Sequence, residues 1–243
     1  MSTHQFNLNL LNGFALRQGA KPVPTPSTAK RVLAYLAVHG PSSRAVVAGE
    51  LWPEVTEGRA DGSLRSTLWR LGRRSHDLVR CHADVLSLGE PVEVDVDELD
   101  RAARAVLDGE PIGAAGQAVV LRGGDLLPDW AEQWVVIERE RLRQLRLHAL
   151  DALAEQLCAR GGYPEALAAA MQAVDVEPLR ESGHRALIMI YLASGSPGHA
   201  LDHYESYRTM LRTVLGLEPS ARMRTLLSRG VRDTPDVRAA DPG

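Results

Sequence analysis

Arginine and hydroxyl side chains crowd into one stretch of this sequence, Arg59-Ala-Asp-Gly-Ser-Leu-Arg-Ser-Thr-Leu-Trp-Arg-Leu-Gly-Arg-Arg-Ser75. A guanidinium can bind phosphate oxygens or grip guanine O6 and N7 in a bidentate contact, and a hydroxyl can meet either base edges or phosphate. Residues 59–80 hold six Arg and two Asp, a local net charge of +4 in a chain of net −3. A narrow basic segment on an otherwise acidic chain is the electrostatic footprint of a duplex-DNA reader. The competing reading is a surface helix whose arginines are merely solvated. Arginine number alone decides nothing here. The chain uses 26 Arg against only Lys21 and Lys30, and it is rich in Ala, Gly, Leu and Val, the bias of a high-GC coding sequence. Position has to carry the argument.

Position gives an amphipathic helix over 59–75. Leu64, Leu68 and Leu71 fall at i, i+4 and i+7 and share a face that needs a core. Ser66, Arg70 and Arg73 have the same spacing on another face, flanked by Arg65, Trp69 and Arg74. Arg70 and Arg73 are the expected base or phosphate readers, with Ser66 and Thr67 as weaker hydroxyl candidates. Trp69 suits either the edge of a core or a sugar contact. Arg80 and His82, just downstream, suit the DNA backbone or the minor groove.

The other constellations are weaker. His199 and His203 stand at i, i+4, a metal-compatible spacing, but Ala-Leu-Asp lies between them with no Glu for a zinc-protease reading. They read as a helical surface pair. Cys81-His82 with His76 lacks a second Cys pair. There is no phosphate loop, dinucleotide fingerprint or nucleophile elbow. The expectation is a non-enzyme with no catalytic, cofactor-binding or metal-ligating residues. Cys81 and Cys158, the only cysteines, read as reduced thiols. No run of about 18 apolar residues predicts a membrane span. Met1-Ser-Thr-His-Gln lacks the basic-then-apolar pattern of a secretory signal, so a cytoplasmic location is expected.

The elements that would position the basic helix follow from periodicity. Phe6, Leu8 and Leu10 alternate as a strand, Asn12-Gly13 turns, and Phe14 and Leu16 continue. Lys21 to Pro26 is a stiff connector. Ser27 or Thr28 can cap a helix to about His39, buried through Val32, Leu33 and Leu36. Ser42 or Ser43 can cap a second helix with Val46, Val47, Leu51 and Trp52 apolar, stopped before Pro53. Residues 78–88 read as a short β-hairpin. Strands, three helices and a hairpin are the parts of a winged helix-turn-helix, whose third helix enters the major groove beside the wing. Residues 91–100 are strand-like and then helical. Gly109 to Gly116 is a Gly/Pro-rich break, and Asp129 with Glu132 has capping-box spacing for a long helix to about Arg160.

The remainder repeats. Ala166 and Ala200 fall in register at a period of 34. Leu150, Leu153, Ala154, Leu157, Ala166, Ala170, Ala173 and Pro178 occupy the large, small and terminating positions of a tetratricopeptide unit. The second copy keeps Leu187, Tyr191 and Ala200 but has Ile188 at a small position and Arg212 in place of Pro. Residues from about 231 read as a frayed tail. The expected fold is mainly α with a small β part, a winged-helix domain over 1–110 followed by tetratricopeptide-like helices over 111–243.

With both halves in view, the chain resembles the Streptomyces antibiotic regulatory protein family of transcription activators. The carriers are Leu51-Trp-Pro53, Ser63 to Leu71, Val94-Asp-Val-Asp97, Arg122 to Trp130, Glu138 to Leu142 and Tyr163 to Leu167. The resemblance spans about residues 6–230. It implies a response-regulator-type winged helix joined to a bacterial transcriptional activation domain, binding double-stranded DNA at direct-repeat promoter sites and contacting RNA polymerase through sigma and other subunits. It also implies a possible homo-oligomer on DNA and control of an antibiotic or secondary-metabolite gene cluster. Gly72 departs from the family by standing where a basic residue is usual. Residues 1–100 carry 11 Lys/Arg against 12 Asp/Glu, which favours the rival reading of a tetratricopeptide-type scaffold whose winged helix does not read DNA. No receiver-like segment is recognised before the winged helix, so activation by phosphotransfer is not expected.

Overall fold

The structure is a computed structural model that describes residues 6–74, 77–90 and 92–233, with the side chains of Arg74 and of residues 231–233 outside that description. The expectations for Met1 to Gln5, for His76 and for most of the tail fall outside the described residues. The chain divides into two compact units that interleave in sequence. The first comprises residues up to Ala103 together with Ala114–Leu145, and the second comprises Arg104–Gly113 together with residues from Arg146 onward.

The first unit opens with β1 (Phe6–Asn9) and β2 (Ala15–Gln18), an antiparallel pair joined at Asn12 and Gly13, both at positive φ. The connector contributes β3 (Lys21–Pro22), which pairs with β2. Then come α1 (Ser27–His39), β4 (Ser42–Ser43), α2 (Arg44–Leu51), α3 (Glu57–Arg74), the hairpin β5 (Val79–His82) with β6 (Val85–Leu88), and β7 (Val92–Val94). The N-terminal sheet runs β3-β2-β1-β7 with β7 parallel to β1, while the wing sheet runs β4-β6-β5. This is the winged helix-turn-helix arrangement. Ser43 caps α2, its hydroxyl accepting from Val46 N at 3.3 Å. At α1 it is Pro26, and not Ser27 or Thr28, that occupies the cap, its carbonyl accepting from Lys30 N. Val46 is exposed on α2 where Val47 and Leu51 enter the core.

Asp95 fastens the sheet to the helix that follows it. It opens α4 (Asp95–Leu107), and its carboxylate accepts from Leu10 N at 2.9 Å and Leu11 N at 3.0 Å. Burial pushes its pKa up against the pull of those donors.

The expected break at Gly109–Gly116 gives way early to α5 (Ala114–Arg122). The long helix α6 is Gln133–Ala159, so it starts later than the Asp129 capping box required. Leu126 and Leu127 are buried instead in a turn on the N-terminal sheet, with Leu127 N donating to Leu10 O and Asn12 N donating to Asp125 O. Arg139 pins that turn by donating to Leu126 O, Leu127 O and Trp130 O. Those carbonyls are satisfied from the side, so the chain turns there rather than continuing as helix. Glu132 pairs with Arg31 at 3.1 Å.

The second unit contains α7 (Tyr163–Val176), α8 (Glu181–Ala193), α9 (Pro197–Leu215) and α10 (Ala221–Asp233). The buried face of α7 is alanine throughout: Ala166, Ala169, Ala170 and Ala173. Small side chains let α8 approach closely, and a Cβ built at Gly183 would stand 3.1 Å from Val174 Cγ2 and 3.4 Å from Ala173 Cβ. Ala200 is equally buried on α9, and α7 and α9 begin 34 residues apart, as the repeat register requires. Their ends differ. Pro178 lies just past α7, whereas Arg212 in the second copy lets α9 run on until Gly216, at φ 68, caps it. Met223 and Leu227 of α10 close the core formed by Ile188, Tyr204, Tyr207 and Leu211.

Ala170→Trp should therefore destabilise the protein. Overpacking such a site costs about 1–3 kcal/mol or more, read as a lower urea midpoint with an unchanged slope. An unchanged midpoint would mean that the α7 face tolerates bulk and that the repeat register is wrong.

Candidate nucleic-acid interface

At about 100° per residue, Ala60, Leu64, Thr67 and Leu71 fall on one narrow stripe of α3, and all four are buried. Leu68, expected to share that face with Leu64 and Leu71, lies at its margin and is half-buried. The stripe fixes the opposite side, where Gly62, Ser66, Trp69 and Arg73 face solvent, with Arg65 and Arg70 on either flank. Trp69 is 61% exposed, and the Arg73 guanidinium lies 5.0 Å from its ring centroid. Its exposure sets Trp69 outside the core, and the contact gives the face an aromatic plane beside a cation.

Thr67 has to be corrected. It was expected among the readers but is only 3% exposed, inside the stripe, and its hydroxyl donates to Ser63 O at 2.9 Å. The one-turn-back hydrogen bond satisfies the hydroxyl within the helix and lets a polar residue sit among leucines. Arg74 ends α3 in the backbone trace, and its side chain lies outside the described residues.

The wing carries the two remaining expected residues. Arg80 and His82 are both exposed on β5, which packs against α3. The turn at Ala83 (φ 52) and Asp84 is anchored by Arg44 N donating to Asp84 O at 2.9 Å. Arg44 was not anticipated; its Nη1 lies 3.8 Å from Cys81 Sγ and adds a cation beside the wing. Two of the expected cations already hold carboxylates, Arg65 with Asp61 at 2.8 Å and Arg80 with Glu90 at 2.7 Å. Both pairs are exposed, and such pairs are worth little in water, so a phosphate can displace the carboxylate.

The histidines of the second unit resolve differently from the surface pair expected of His199 and His203. His199 is exposed and tilted toward Tyr191, whereas His203 turns inward to His184, with Nε2 3.0 Å from His184 Nδ1. His184 is buried, stacked on Tyr207 at 3.9 Å, and its Nε2 faces Pro178 O at 2.8 Å. A carbonyl only accepts, so His184 Nε2 carries the proton, Nδ1 accepts, and His203 Nε2–H donates. Burial disfavours the charged form of both rings. Burial and the neighbouring imidazole push His203 down to about 4, burial lowers His184, and burial pushes Tyr207 up to about 12. His184 had no sequence signal, because its partner is 19 residues away on another helix. Among the described residues no group of three His, Cys, Asp or Glu could hold a metal ion, and no helix is long and apolar enough to cross a membrane.

Known proteins resemble this chain in two ways. A family-wide sequence profile described as the bacterial transcriptional activator domain matches residues 94–229. Among solved structures, Mycobacterium tuberculosis EmbR in complex with a low-affinity phosphopeptide aligns with a TM-score of 0.71 at 23% identity. That alignment covers 95% of this chain and 66% of the EmbR chain, so the present chain spans just under two thirds of its length. At that identity the likeness establishes the fold. A search of curated protein sequences returns no match.

The histidine pair predicts an acid-sensitive fold. The His203 pKa is lowered on folding, so between its unfolded value near 6.5 and its folded value of about 4 the unfolded chain binds more protons. Stability from this site is fully present above about pH 6.5 and is lost as pH falls toward 4. Urea midpoints should drop between about pH 7 and pH 5, and His203→Gln should flatten that slope. An equal slope in the variant would contradict the buried neutral pair.

Proposed function

This chain belongs to the bacterial transcriptional activator domain family, and from that premise we propose that it is a sequence-specific DNA-binding activator that reads duplex DNA with α3 and the wing. The observation that carries the reading is the solvent side of α3. Burial of the Ala60–Leu71 stripe leaves Arg65, Ser66, Trp69, Arg70 and Arg73 together on the side a major groove would meet. Arg70 or Arg73 supplies a bidentate guanine contact, Ser66 a base edge or phosphate contact, and Trp69 a sugar contact. Arg65 and Arg80 exchange Asp61 and Glu90 for phosphates, and His82 and Arg74 add backbone contacts. In this reading residues 1–110 carry DNA binding, and 111–243 carry activation through RNA polymerase and assembly of copies on direct-repeat sites. The likeness to antibiotic regulatory proteins supports a secondary-metabolite gene cluster as the target and the cytoplasm as the place of action.

The near balance of charge over residues 1–100 makes affinity depend on geometry more than on bulk attraction. The test is a titration, at several salt concentrations, of a duplex selected by the full chain from a random-sequence pool and of a scrambled control. Arg70→Ala should cost about 1–3 kcal/mol on the selected duplex and narrow its advantage over the scrambled one. Arg80→Ala should weaken both alike and lower the salt slope by about one. A Cβ at Gly72 meets nothing within 4 Å, so Gly72→Arg should fit, raise affinity for both duplexes, and stabilise the helix by about 0.5–1 kcal/mol. If neither arginine substitution alters binding, α3 is not the reader, and the scaffold reading is the better one.

A further inference from the structure

A cavity of about 390 Å³ opens beside the recognition helix, bounded by α3, the first turn of α1 and the segment from Val23 to Pro26. Leu16, Val23, Ala29, Leu71 and Leu78 make it mainly apolar. Among the described residues its charged lining is Arg70 and Arg73, with Trp69 just before them in sequence, and no carboxylate of those residues lines it. Neither guanidinium has a carboxylate partner among the described residues. The volume lies within the range of small-molecule sites, which are typically apolar hollows with a few convergent polar groups.

We propose that this cavity binds a small aromatic monocarboxylate, and that the ligand competes with DNA for Arg70 and Arg73. A mainly apolar floor with two cations at one side favours a ligand that places one anionic group at the guanidiniums and an apolar body over the rest. A neutral ligand leaves the guanidiniums without a counter-charge, and a multiply charged one would have to desolvate its extra charge against leucine and valine. The Trp69 ring, already beside the Arg73 guanidinium, offers an aromatic face to a flat ligand at the cavity mouth. Competition follows from shared atoms, since a guanidinium forked onto a carboxylate cannot also fork onto guanine. This second half of the proposal rests on the DNA-reading role of α3, whereas the first half does not.

The test uses the full chain and naphthalene-2-carboxylate as the probe, with naphthalene-2-carboxamide as its neutral control. Calorimetry without DNA should give one site, with the carboxamide roughly tenfold weaker, as should Arg70→Gln or Arg73→Gln toward the carboxylate. Thr28→Trp, placed on the cavity wall from the surface of α1, should abolish binding while the melting temperature holds. If that variant unfolds, the exposed Arg variants still decide the matter. Equal binding of carboxylate and carboxamide, or binding indifferent to all three substitutions, overturns the site. Saturating naphthalene-2-carboxylate should then weaken duplex binding roughly tenfold, and an unchanged duplex affinity overturns the competition. A chain that binds the carboxylate at this site but binds no duplex leaves the site standing and removes the DNA-reading role instead.

Discussion

The burial of one stripe of α3 organises the first unit. Ala60, Leu64, Thr67 and Leu71 have to be covered, and α1, α2 and the wing supply the cover. Once they are covered, the rotation of the helix about its own axis is fixed, and with it the direction of every arginine on the other side. The Thr67 hydroxyl is accommodated because Ser63 O takes its proton. The same stripe places Arg70 at the margin between solvent and the apolar hollow.

The second unit solves a different problem with different residues. Alanine on α7 and glycine at 183 allow helices to pack at short range, and the larger residues of α8, α9 and α10 fill the next layer. Each helix pair covers its neighbour, which is the reason a repeat of this kind holds together. His184 and His203 sit in that layer as a hydrogen-bonded pair whose burial opposes protonation of either ring.

Much of this was legible in the sequence because it depends on local periodicity. The alternation of Phe6, Leu8 and Leu10, the Asn12-Gly13 turn, the hairpin after α3 and the 34-residue alanine register all report local geometry, and all are present. The docking of Leu126–Leu127 just past β1, at Leu10 to Asn12, was not legible, because it joins segments more than a hundred residues apart in sequence. The start of α6 was misplaced for a nearer reason: the side chain of Arg139, from within the helix, holds the carbonyls that precede it. In the candidate site, the outward arginines followed from the heptad-like spacing of the leucines. Thr67 did not, since a hydroxyl type says nothing about whether the helix itself satisfies it. The partners Asp61 and Glu90, the cation Arg44 and the His184 contact all depend on which elements are neighbours, and no single-strand pattern encodes that.

Amide hydrogen exchange on the full chain, with and without a saturating selected duplex, tests most directly whether α3 and the wing form the surface that meets DNA. DNA reading by these elements predicts new protection concentrated in residues 57–74 and 79–88, with α7 to α10 exchanging as in the free protein. Protection confined to the helices of the second unit, or no protection in α3 at saturation, would contradict it.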